Sequence, residues 1–393
     1  MVAMSGLPEM TRTSRGKGRI VLDRVASALW YVPGSFALAR LLGPRYPLRC
    51  VLFHDIADRE SAFTNGLGVT ITRRAFEAAL KFLTRYYTPV SLQDVIAGTD
   101  GRGLPARPVL VTFDDAYASV GEFGAALCFQ YGVPAVFFVN GACLDNRQLA
   151  LDNLICYVAN IRGLGAVKSA AIAAVGRDDF ELCSLKQVFS RLLPTMSLSA
   201  KAAFRRALTA ATKRDERDLA AEAGLHISTQ QLCSLKTFNI EIGNHTYSHT
   251  HCRSLSLGDF AHEVDRNKAI LETISGSRVR SFSVPYGSSA DLTAELTTHL
   301  HQTGHEVIFL AESSAGSFRS CASILDRTSI NTGADAALFS KVEVLPRLRT
   351  IRKGLGFVSG GGRHEKKSKV ISECPVSERT FSDEVADSDE VHI

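Results

Sequence analysis

PVLVTFDDA, residues 108–116, contains an apolar run that ends at two adjacent carboxylates. Val109, Leu110 and Val111 form the kind of run that is typical of a strand buried on both faces. Asp114 and Asp115 follow at once, where the run stops. This stretch therefore predicts a core strand that carries reactive polar groups to one edge of a sheet.

Three other apolar strands end in a similar way. Their ends carry residue types that are common in active sites: His54 and Asp55, His245 and His249, and the turn Pro285-Tyr286-Gly287. Helical patterns lie between the strands, such as the one at 72–87 that begins after Thr72 as N-cap. This alternation predicts an α/β fold with a parallel sheet or barrel, in which the four strand ends converge on one rim.

Composition divides the chain into segments. We expect a polar segment and a helix at 1–47, and an α/β barrel at 48–353. The barrel is interrupted at about 142–230 by an Ala-, Leu- and Lys-rich pattern that predicts a helical insertion. Glycines, serines and acidic residues dominate 354–393, which predicts a disordered tail.

The overall composition excludes some partners and favours one compartment. The chain has 393 residues, a formal net charge of +5, and no block of basic residues interleaved with aromatics, so we expect no nucleic-acid partner. The nine cysteines are scattered and odd in number. Reduced thiols are therefore expected, which favours a cytoplasmic protein.

The N-terminal apolar run can be interpreted as a helix packed on the domain or as a helix on a membrane surface. Asp23, Arg24, Pro33 and Arg40 interrupt this run, so it fits neither a signal peptide nor a membrane span. We expect a helix packed on the domain. A helix lying on a membrane surface is the alternative, and it would make the protein membrane-peripheral.

The carboxylates and histidines together indicate a metal centre. His245 and His249 are four residues apart in HTYSH, and a helix or tight turn would place both rings on one side. Two histidines and one carboxylate are ordinary zinc ligands that leave a position open for water. One of Asp114 and Asp115 could bind the metal and the other act as a base. A helix cap, a surface histidine pair and a simple turn are the alternatives.

The order of these motifs resembles the polysaccharide deacetylase family, the carbohydrate esterases with NodB homology. FHDI, VTFDDA, PAVFFVNG, IGNHTYSHTH and SFSVPYG follow one another as in that family, over about 48–335. The segment ILDRTSINTGADAALFSKVEVLPRLRTIR resembles the last strand and helix of members that act in exopolysaccharide biosynthesis. The resemblance implies a distorted (β/α) barrel with a divalent metal, zinc as the first candidate, at its carboxyl rim.

The resemblance also implies roles for individual residues. Asp114 would be the catalytic base, and Tyr286 would offer its backbone N–H to an oxyanion. The implied metal ligands are Asp115, His245 and His249. Further residues would line or brace the site: His54, Asp55, Thr246 (by hydrogen bonding) and Pro285.

Three departures from the family pattern bear on activity. Ala116 stands where the family usually has glycine, and Ser283 stands where an arginine usually braces the base. No general acid can be assigned, because His299, His301 and His305 lie on or beside a predicted helix and are expected to be solvated.

The sequence thus predicts a metal-dependent hydrolase that removes N-acetyl groups from a polysaccharide or oligosaccharide. Its partners would be an N-acetylated carbohydrate and a membrane surface or polysaccharide-assembly component. The alternatives are a sugar- or metal-binding protein with little catalysis, an amide hydrolase with another small substrate, and a non-haem iron oxygenase. Asp114 disfavours the binding protein, since binding alone needs no free carboxylate beside a metal.

Overall fold

A computed structural model describes residues 22–35, 48–98, 103–176, 178, 182–313 and 324–349. The polar start of the chain and the predicted tail at 354–393 lie outside these ranges.

A closed parallel barrel forms the centre of the fold. The described strands are β1 Arg49–Phe53, β2 Asp55–Ile56, β3 Thr70–Ile71, β4 Thr88–Pro89, β5 Pro108–Phe113, β6 Ala135–Val139, β7 Ile240–Asn244, β8 Ser281–Ser283, β9 Val307–Leu310 and β10 Ile324–Ser329. The barrel runs β1-β5-β6-β7-β8-β9-β10 and closes as β10 pairs with β1. All these pairings are parallel. The predicted distorted (β/α) barrel is therefore confirmed.

The remaining strands add to the edges. β4 pairs with the first two residues of β5, and β2 pairs with β3 as a separate two-stranded sheet. From residue 48 onward, the described α-helices are α1 Arg73–Tyr86, α2 Leu92–Ala97, α3 Ala125–Gln130, α4 Leu151–Arg162, α5 Leu164–Val175, α6 Leu185–Gln187, α7 Leu198–Thr212, α8 Glu216–Ala223, α9 Thr229–Ser234, α10 Leu257–Ser275, α11 Ala294–Gln302 and α12 Asp335–Phe339.

Large apolar side chains hold the barrel closed. Every residue of β1 and β5 is buried, as expected for strands covered on both faces. Phe53, Phe76, Phe113 and Phe137 meet through ring contacts with centroids 5.0–6.3 Å apart. Burying each such ring contributes about 1.5–3 kcal/mol to the stability of the fold. These rings therefore hold β1 and β5 in place.

Local signals place the helix ends where the sequence predicts them. The Thr72 side chain accepts a hydrogen bond from the backbone N–H of Ala75 and so caps α1. Helix α10 ends at Gly276, whose φ of 63° lies in the left-handed region that glycine adopts without steric cost.

Residues between β6 and β7 form a helical layer with its own apolar core. Helices α4 to α8 bury a separate cluster that includes Ile155, Val167, Phe204 and Leu208. Phe63 and Tyr286, which come from other parts of the chain, pack against this cluster. The layer therefore lies beside the turn that follows β8.

The described N-terminal segment packs on the barrel domain. Residues 22–28 are helical and Leu29–Tyr31 continues as a 3₁₀ helix. The Trp30 ring lies 5.6–5.9 Å from the rings of Phe82, Tyr86 and Phe339. Within the described ranges, no helix combines the length and the apolar character needed to cross a bilayer.

The seven cysteines in the described part of the chain are free thiols, and five of them are buried. Burial raises the pKa of Cys50, Cys128 and Cys143 to about 12. A neutral thiol is a poor nucleophile, so these three cysteines do not support cysteine-based catalysis.

Candidate active site

The carboxyl ends of β1, β5, β7 and β8 meet around one cavity of about 280 Å³. Asp114, Asp115 and His249 from the predicted strand ends line it, as does Asp152 from the helical layer. His54, His245 and Tyr286 also line it. The convergence expected from the sequence thus occurs at one rim of the barrel.

Asp115, His245 and His249 form a compact cluster. Asp115 Oδ1 lies 3.3 Å from His245 Nε2 and 3.3 Å from His249 Nε2. The three ligand atoms all lie within 4.8 Å of one another. A divalent cation could therefore contact all three with small side-chain adjustments.

The surroundings of the two imidazoles direct both Nε2 atoms to this point. His245 Nδ1 lies 2.8 Å from the Ser283 carbonyl, and His249 Nδ1 lies 2.9 Å from Asp152 Oδ2. Each Nδ1 therefore donates its proton to one of these two oxygens, and each Nε2 faces Asp115. Among the described residues, no hydrogen-bond partner satisfies the buried Asp115 Oδ1. An orphaned carboxylate oxygen facing two Nε2 atoms fits a cation that binds through all three.

The electrostatics of His249 agree with this fit. Burial would lower the pKa of His249, but the Asp115 and Asp152 carboxylates outweigh burial and raise it to about 9. A cation bound through Nε2 would therefore displace a proton from this ring. The local field thus favours positive charge at the cluster.

The backbone reverses immediately after β5. Asp115 has φ 72° and Ala116 has φ 55°, both in the left-handed region. A residue with a Cβ is strained there, which gives a physical reason for the glycine that the family usually has at the position of Ala116. The turn lets the neighbouring carboxylates serve different partners: Asp115 faces the histidines, and Asp114 faces Arg327.

Arg327 braces Asp114 through two parallel hydrogen bonds. Its Nη1 lies 2.8 Å from Asp114 Oδ1, and its Nη2 lies 2.7 Å from Asp114 Oδ2. Ser283 Oγ donates to Asp114 Oδ2 at 3.1 Å and accepts from Arg327 at 2.7 Å. The lack of an arginine at the position of Ser283 therefore does not leave Asp114 without a brace. The guanidinium comes from β10, 44 residues after Ser283, where no local motif would reveal it.

This brace keeps Asp114 ionised. Burial would raise the pKa of Asp114, but the charge of Arg327, and secondarily that of His245, hold it below its usual value. Asp114 also lies 3.7 Å from His245 Nε2. It is therefore a carboxylate beside the cluster at neutral pH, as a general base must be.

The histidine loop at 245–249 is a turn rather than a helix. Thr246 and His249 have φ values of 59° and 53°, and the two imidazole rings lie 4.9 Å apart. Asn140 Nδ2 donates to the carbonyls of His245 and Thr246. The turn therefore depends on buried polar contacts from β6 as well as on its own sequence.

A second set of contacts holds the far end of this loop. The buried Glu263 carboxylate accepts from Ser248 N at 2.8 Å and from Ser248 Oγ at 2.9 Å. Asn267 Nδ2 donates to Asn244 Oδ1 at 2.8 Å, and Asn244 Oδ1 also accepts from Thr246 N. Helix α10 thus supports the loop from behind.

The turn after β8 places Tyr286 between the barrel and the helical layer. Tyr286 has φ 62°, and its hydroxyl donates to Asp152 Oδ1 at 2.8 Å. Its ring lies 4.8 Å from the His249 ring and stacks on His251 at 3.7 Å. The predicted role of its backbone N–H stays a prediction. No local sequence pattern predicts the side-chain contacts, since they depend on a distant helix.

The other predicted site residues divide into two groups. His54 lines the cavity, with Nε2 at 3.9 Å from Asp115 Oδ2. Asp55 lies outside the lining and accepts from Ser119 at 2.9 Å and Thr70 at 3.1 Å. Pro285 is buried, also outside the lining, and begins the turn that carries Tyr286.

Two expectations are wrong. Thr246 does not brace its loop by its hydroxyl, because Oγ1 is buried and without a hydrogen-bond partner among the described residues. Its backbone makes the contacts instead. His305 is not solvated: it is 1% exposed and lies 3.2 Å from Asn244 Nδ2, which puts it behind β7.

A parallel barrel that carries an ionised carboxylate beside a two-histidine, one-carboxylate cluster is an arrangement that can support metal-assisted hydrolysis. The family model for polysaccharide deacetylase matches residues 199–307, a range that includes both cluster histidines and Tyr286. Over this segment, 109 of the 393 residues, the chain is similar to the polysaccharide deacetylase family.

Solved structures with this fold are distant in sequence. The Streptococcus pyogenes deacetylase PplD in complex with acetate is 13% identical, with 76% of this chain and 98% of that chain covered at a TM-score of 0.50. IcaB from Ammonifex degensii is 18% identical (75% and 97% covered, TM-score 0.47). The BpsB deacetylase domain from Bordetella bronchiseptica is 15% identical (73% and 97%, TM-score 0.42). No curated protein matches the chain in sequence.

Proposed function

We propose that this protein removes N-acetyl groups from the amino sugars of a polysaccharide or oligosaccharide with the help of a divalent metal. The observation that carries the proposal is the pairing of an ionised Asp114 with the Asp115–His245–His249 cluster in one cavity. A deacetylase needs these two functions, a base for water and a centre for the carbonyl, side by side.

Asp115, His245 and His249 would hold the metal, with zinc as the first candidate. Three protein ligands leave a coordination position open, as catalytic zinc sites do. A bound cation would supply Lewis-acid polarisation of the acetyl carbonyl and would lower the pKa of a water molecule.

Asp114 would accept a proton from the attacking water. Arg327 holds both of its oxygens and keeps it ionised, while Ser283 fixes Oδ2. Sugar binding alone does not require a buried arginine–carboxylate pair whose carboxylate lines the cavity. This arrangement therefore favours catalysis over the binding-only alternative.

Proton donation to the leaving amine requires a second titratable group on the cavity. Three histidines line it, and His245 and His249 belong to the cluster, so His54 is the candidate acid. Burial lowers the pKa of His54, so its ring must first take up a proton before it can donate one to the leaving amine. The backbone N–H of Tyr286 would stabilise the oxyanion, as the family resemblance implies.

For the substrate, we propose an exopolysaccharide precursor or lipid-linked oligosaccharide. The support is the resemblance of the segment that begins at Ile324 to the last strand and helix of exopolysaccharide-type members. A cytoplasmic or membrane-peripheral location would suit work on such a precursor, and a polysaccharide-assembly component would then be the partner.

The test is acetate release from N-acetylglucosamine oligomers by zinc-loaded protein. Asp114→Asn and His249→Ala should each lower the rate at least about 10²-fold, because each removes a group that acts in the transition state. Asp218→Asn, an exposed site on α8, is the matched control and should retain the rate.

Two results would contradict the proposal. Asp114→Asn with unchanged activity would remove Asp114 as the base. Zinc-loaded protein that releases no acetate from any N-acetylated oligomer, although it binds zinc through His249, would contradict the deacetylase assignment of this site.

A further inference from the structure

Asp152 contacts two functional side chains although it belongs to the helical layer. It is the second residue of α4, and its side chain is 11% exposed. Oδ2 lies 2.9 Å from His249 Nδ1, while Oδ1 accepts the Tyr286 hydroxyl at 2.8 Å. One carboxylate therefore joins α4, the histidine loop and the turn after β8.

The contact with His249 determines which ring nitrogen can bind a cation. A carboxylate that accepts from Nδ1–H keeps the proton there, leaves the Nε2 lone pair free and makes it more basic. His245 receives the corresponding contact from the neutral carbonyl of Ser283. Of the two cluster histidines, only His249 is thus oriented by a charged group from the helical layer.

The position of Asp152 is itself fixed by packing. Leu151, Leu154 and Ile155 on the same helix are buried in the core of the layer. The adjacent Asn153 donates to the Tyr117 hydroxyl at 3.0 Å and to the Phe63 carbonyl at 3.1 Å. The first turn of a helix also stabilises a carboxylate through its free N–H groups. The start of α4 is therefore held against the barrel.

Further contacts join the layer to the residues that follow the histidine loop. Lys201 on α7 donates to Thr250 Oγ1 and, at 2.9 Å, to Ser254 Oγ. The carbonyl of Phe189 lies 3.3 Å from His251 Nε2. The chain that directly follows His249 is thus held by the same helical layer.

We propose that Asp152 is a positioning residue of the metal centre, through which the helical layer sets the orientation and metal affinity of His249. The inference rests on the proposed function, since it assumes that the cluster binds a metal. It makes the inserted helices a necessary part of the site rather than an appendage of the barrel.

The experiment measures zinc affinity of the full chain by competition with a chelating dye, before any activity assay. Asp152→Ala should weaken zinc binding about 10–100-fold, the usual cost of losing an outer-sphere partner of a ligand histidine. Asp152→Asn should fall between wild type and Asp152→Ala, because its amide oxygen still accepts a hydrogen bond but carries no charge. Asp218→Asn on α8 should bind zinc like wild type.

A spectroscopic reading separates positioning from a merely structural role. With ¹⁵N-labelled histidine, NMR should show zinc-loaded wild-type His249 with its proton on Nδ1, and Asp152→Ala should broaden or shift that signal while the His245 signal stays. Thermal unfolding of each zinc-free variant checks that it is folded, and the near-isosteric Asp152→Asn keeps the test valid if Asp152→Ala does not fold.

The outcomes distinguish this inference from the proposed function. Wild-type zinc affinity and an unchanged His249 signal in Asp152→Ala and Asp152→Asn would overturn the inference, even if acetate release is robust. Weakened zinc binding in both variants would support it, even if no acetylated oligomer is a substrate and the deacetylase assignment fails.

Discussion

At the scale of single residues, the Asp114–Arg327 pair determines the charge of the proposed base. Both side chains are buried, and two hydrogen bonds join them. We predict that Arg327→Met raises the pKa of Asp114, because burial then acts without the opposing charge. The rate should fall more at pH 6 than at pH 8, and the pH profile of kcat/KM for acetate release measures this.

The same substitution should also destabilise the fold. Removing one partner of a buried ion pair costs about 3–5 kcal/mol of unfolding free energy, which urea unfolding can detect. Arg280→Met is the matched control, since Arg280 pairs with Glu306 nearer the surface and should lose under about 1 kcal/mol. Equal losses for both variants, or an unshifted pH profile for Arg327→Met, would contradict the role of Arg327.

Lys201 is a second residue whose charge has a measurable consequence. Burial lowers its pKa to about 8, against about 10.4 in an unfolded chain. Between these values the unfolded state binds more protons than the folded state, so the stability of the wild type should rise with pH. We predict a gain of about 2.5 kcal/mol relative to Lys201→Met between pH 7 and 10.

Urea unfolding of both proteins at several pH values in that range tests the Lys201 prediction. The comparison uses the difference between the two proteins, because other groups titrate equally in both. A constant difference across the range would mean that Lys201 has an ordinary pKa in the folded state.

At the scale of elements, the turn after β8 has little room for change. Gly287 has φ 69°, and a Cβ there would lie 2.3 Å from Ala311 Cβ and 2.6 Å from Ala311 N. Gly287→Ala should therefore displace the turn that carries Tyr286 and cost at least about 2 kcal/mol in unfolding free energy. Thermal or urea unfolding, together with the rate of acetate release, measures both effects.

Gly165, in helix α5, provides the opposite case. A Cβ there meets no atom within 4 Å, and the residue lies in a helix. Gly165→Ala should be neutral or stabilising by up to about 1 kcal/mol. If Gly287→Ala and Gly165→Ala unfold with equal free energy, the prediction for the turn after β8 is wrong.

At the scale of the whole molecule, the cluster joins parts of the chain that are far apart. Asp115 follows β5, and the two histidines follow β7, so a cation bound there would link two barrel strands. Because it would bind the folded state alone, zinc at 100 times its dissociation constant should stabilise the fold by about 2.7 kcal/mol. We predict that Tm of chelator-treated protein rises by on the order of 5 °C when zinc is restored.

The matched control for this rise is His249→Ala, which lacks one cluster ligand. Its Tm should respond little to zinc over the same concentration range, and magnesium should have little effect on either protein, because nitrogen ligands suit zinc. A rise of equal size in His249→Ala would show that zinc binds elsewhere.

Much of the fold could be predicted from the sequence because its signals are local. The buried strands are short apolar runs, and helix ends such as Thr72 and Gly276 follow from capping chemistry within a few residues. The candidate site residues could be named in the same way, since each follows a strand whose carboxyl end must lie on the rim. Asp114 and His245 are such residues.

The support of that site came only from the tertiary structure. Arg327 reaches Asp114 from across the barrel, and Asp152 reaches His249 from a helix between β6 and β7, at separations where no spacing rule applies. From the sequence alone, the hydroxyl of Thr246 is expected to brace the loop by hydrogen bonding. The backbone N–H of Thr246 makes a bracing contact instead, because the surrounding fold decides which polar groups meet. Thus the sequence by itself determined the barrel and the residues at its rim, because strand periodicity and turn chemistry act over short distances. Only the closed fold decided which distant charges orient and ionise those residues, because such contacts depend on packing between elements.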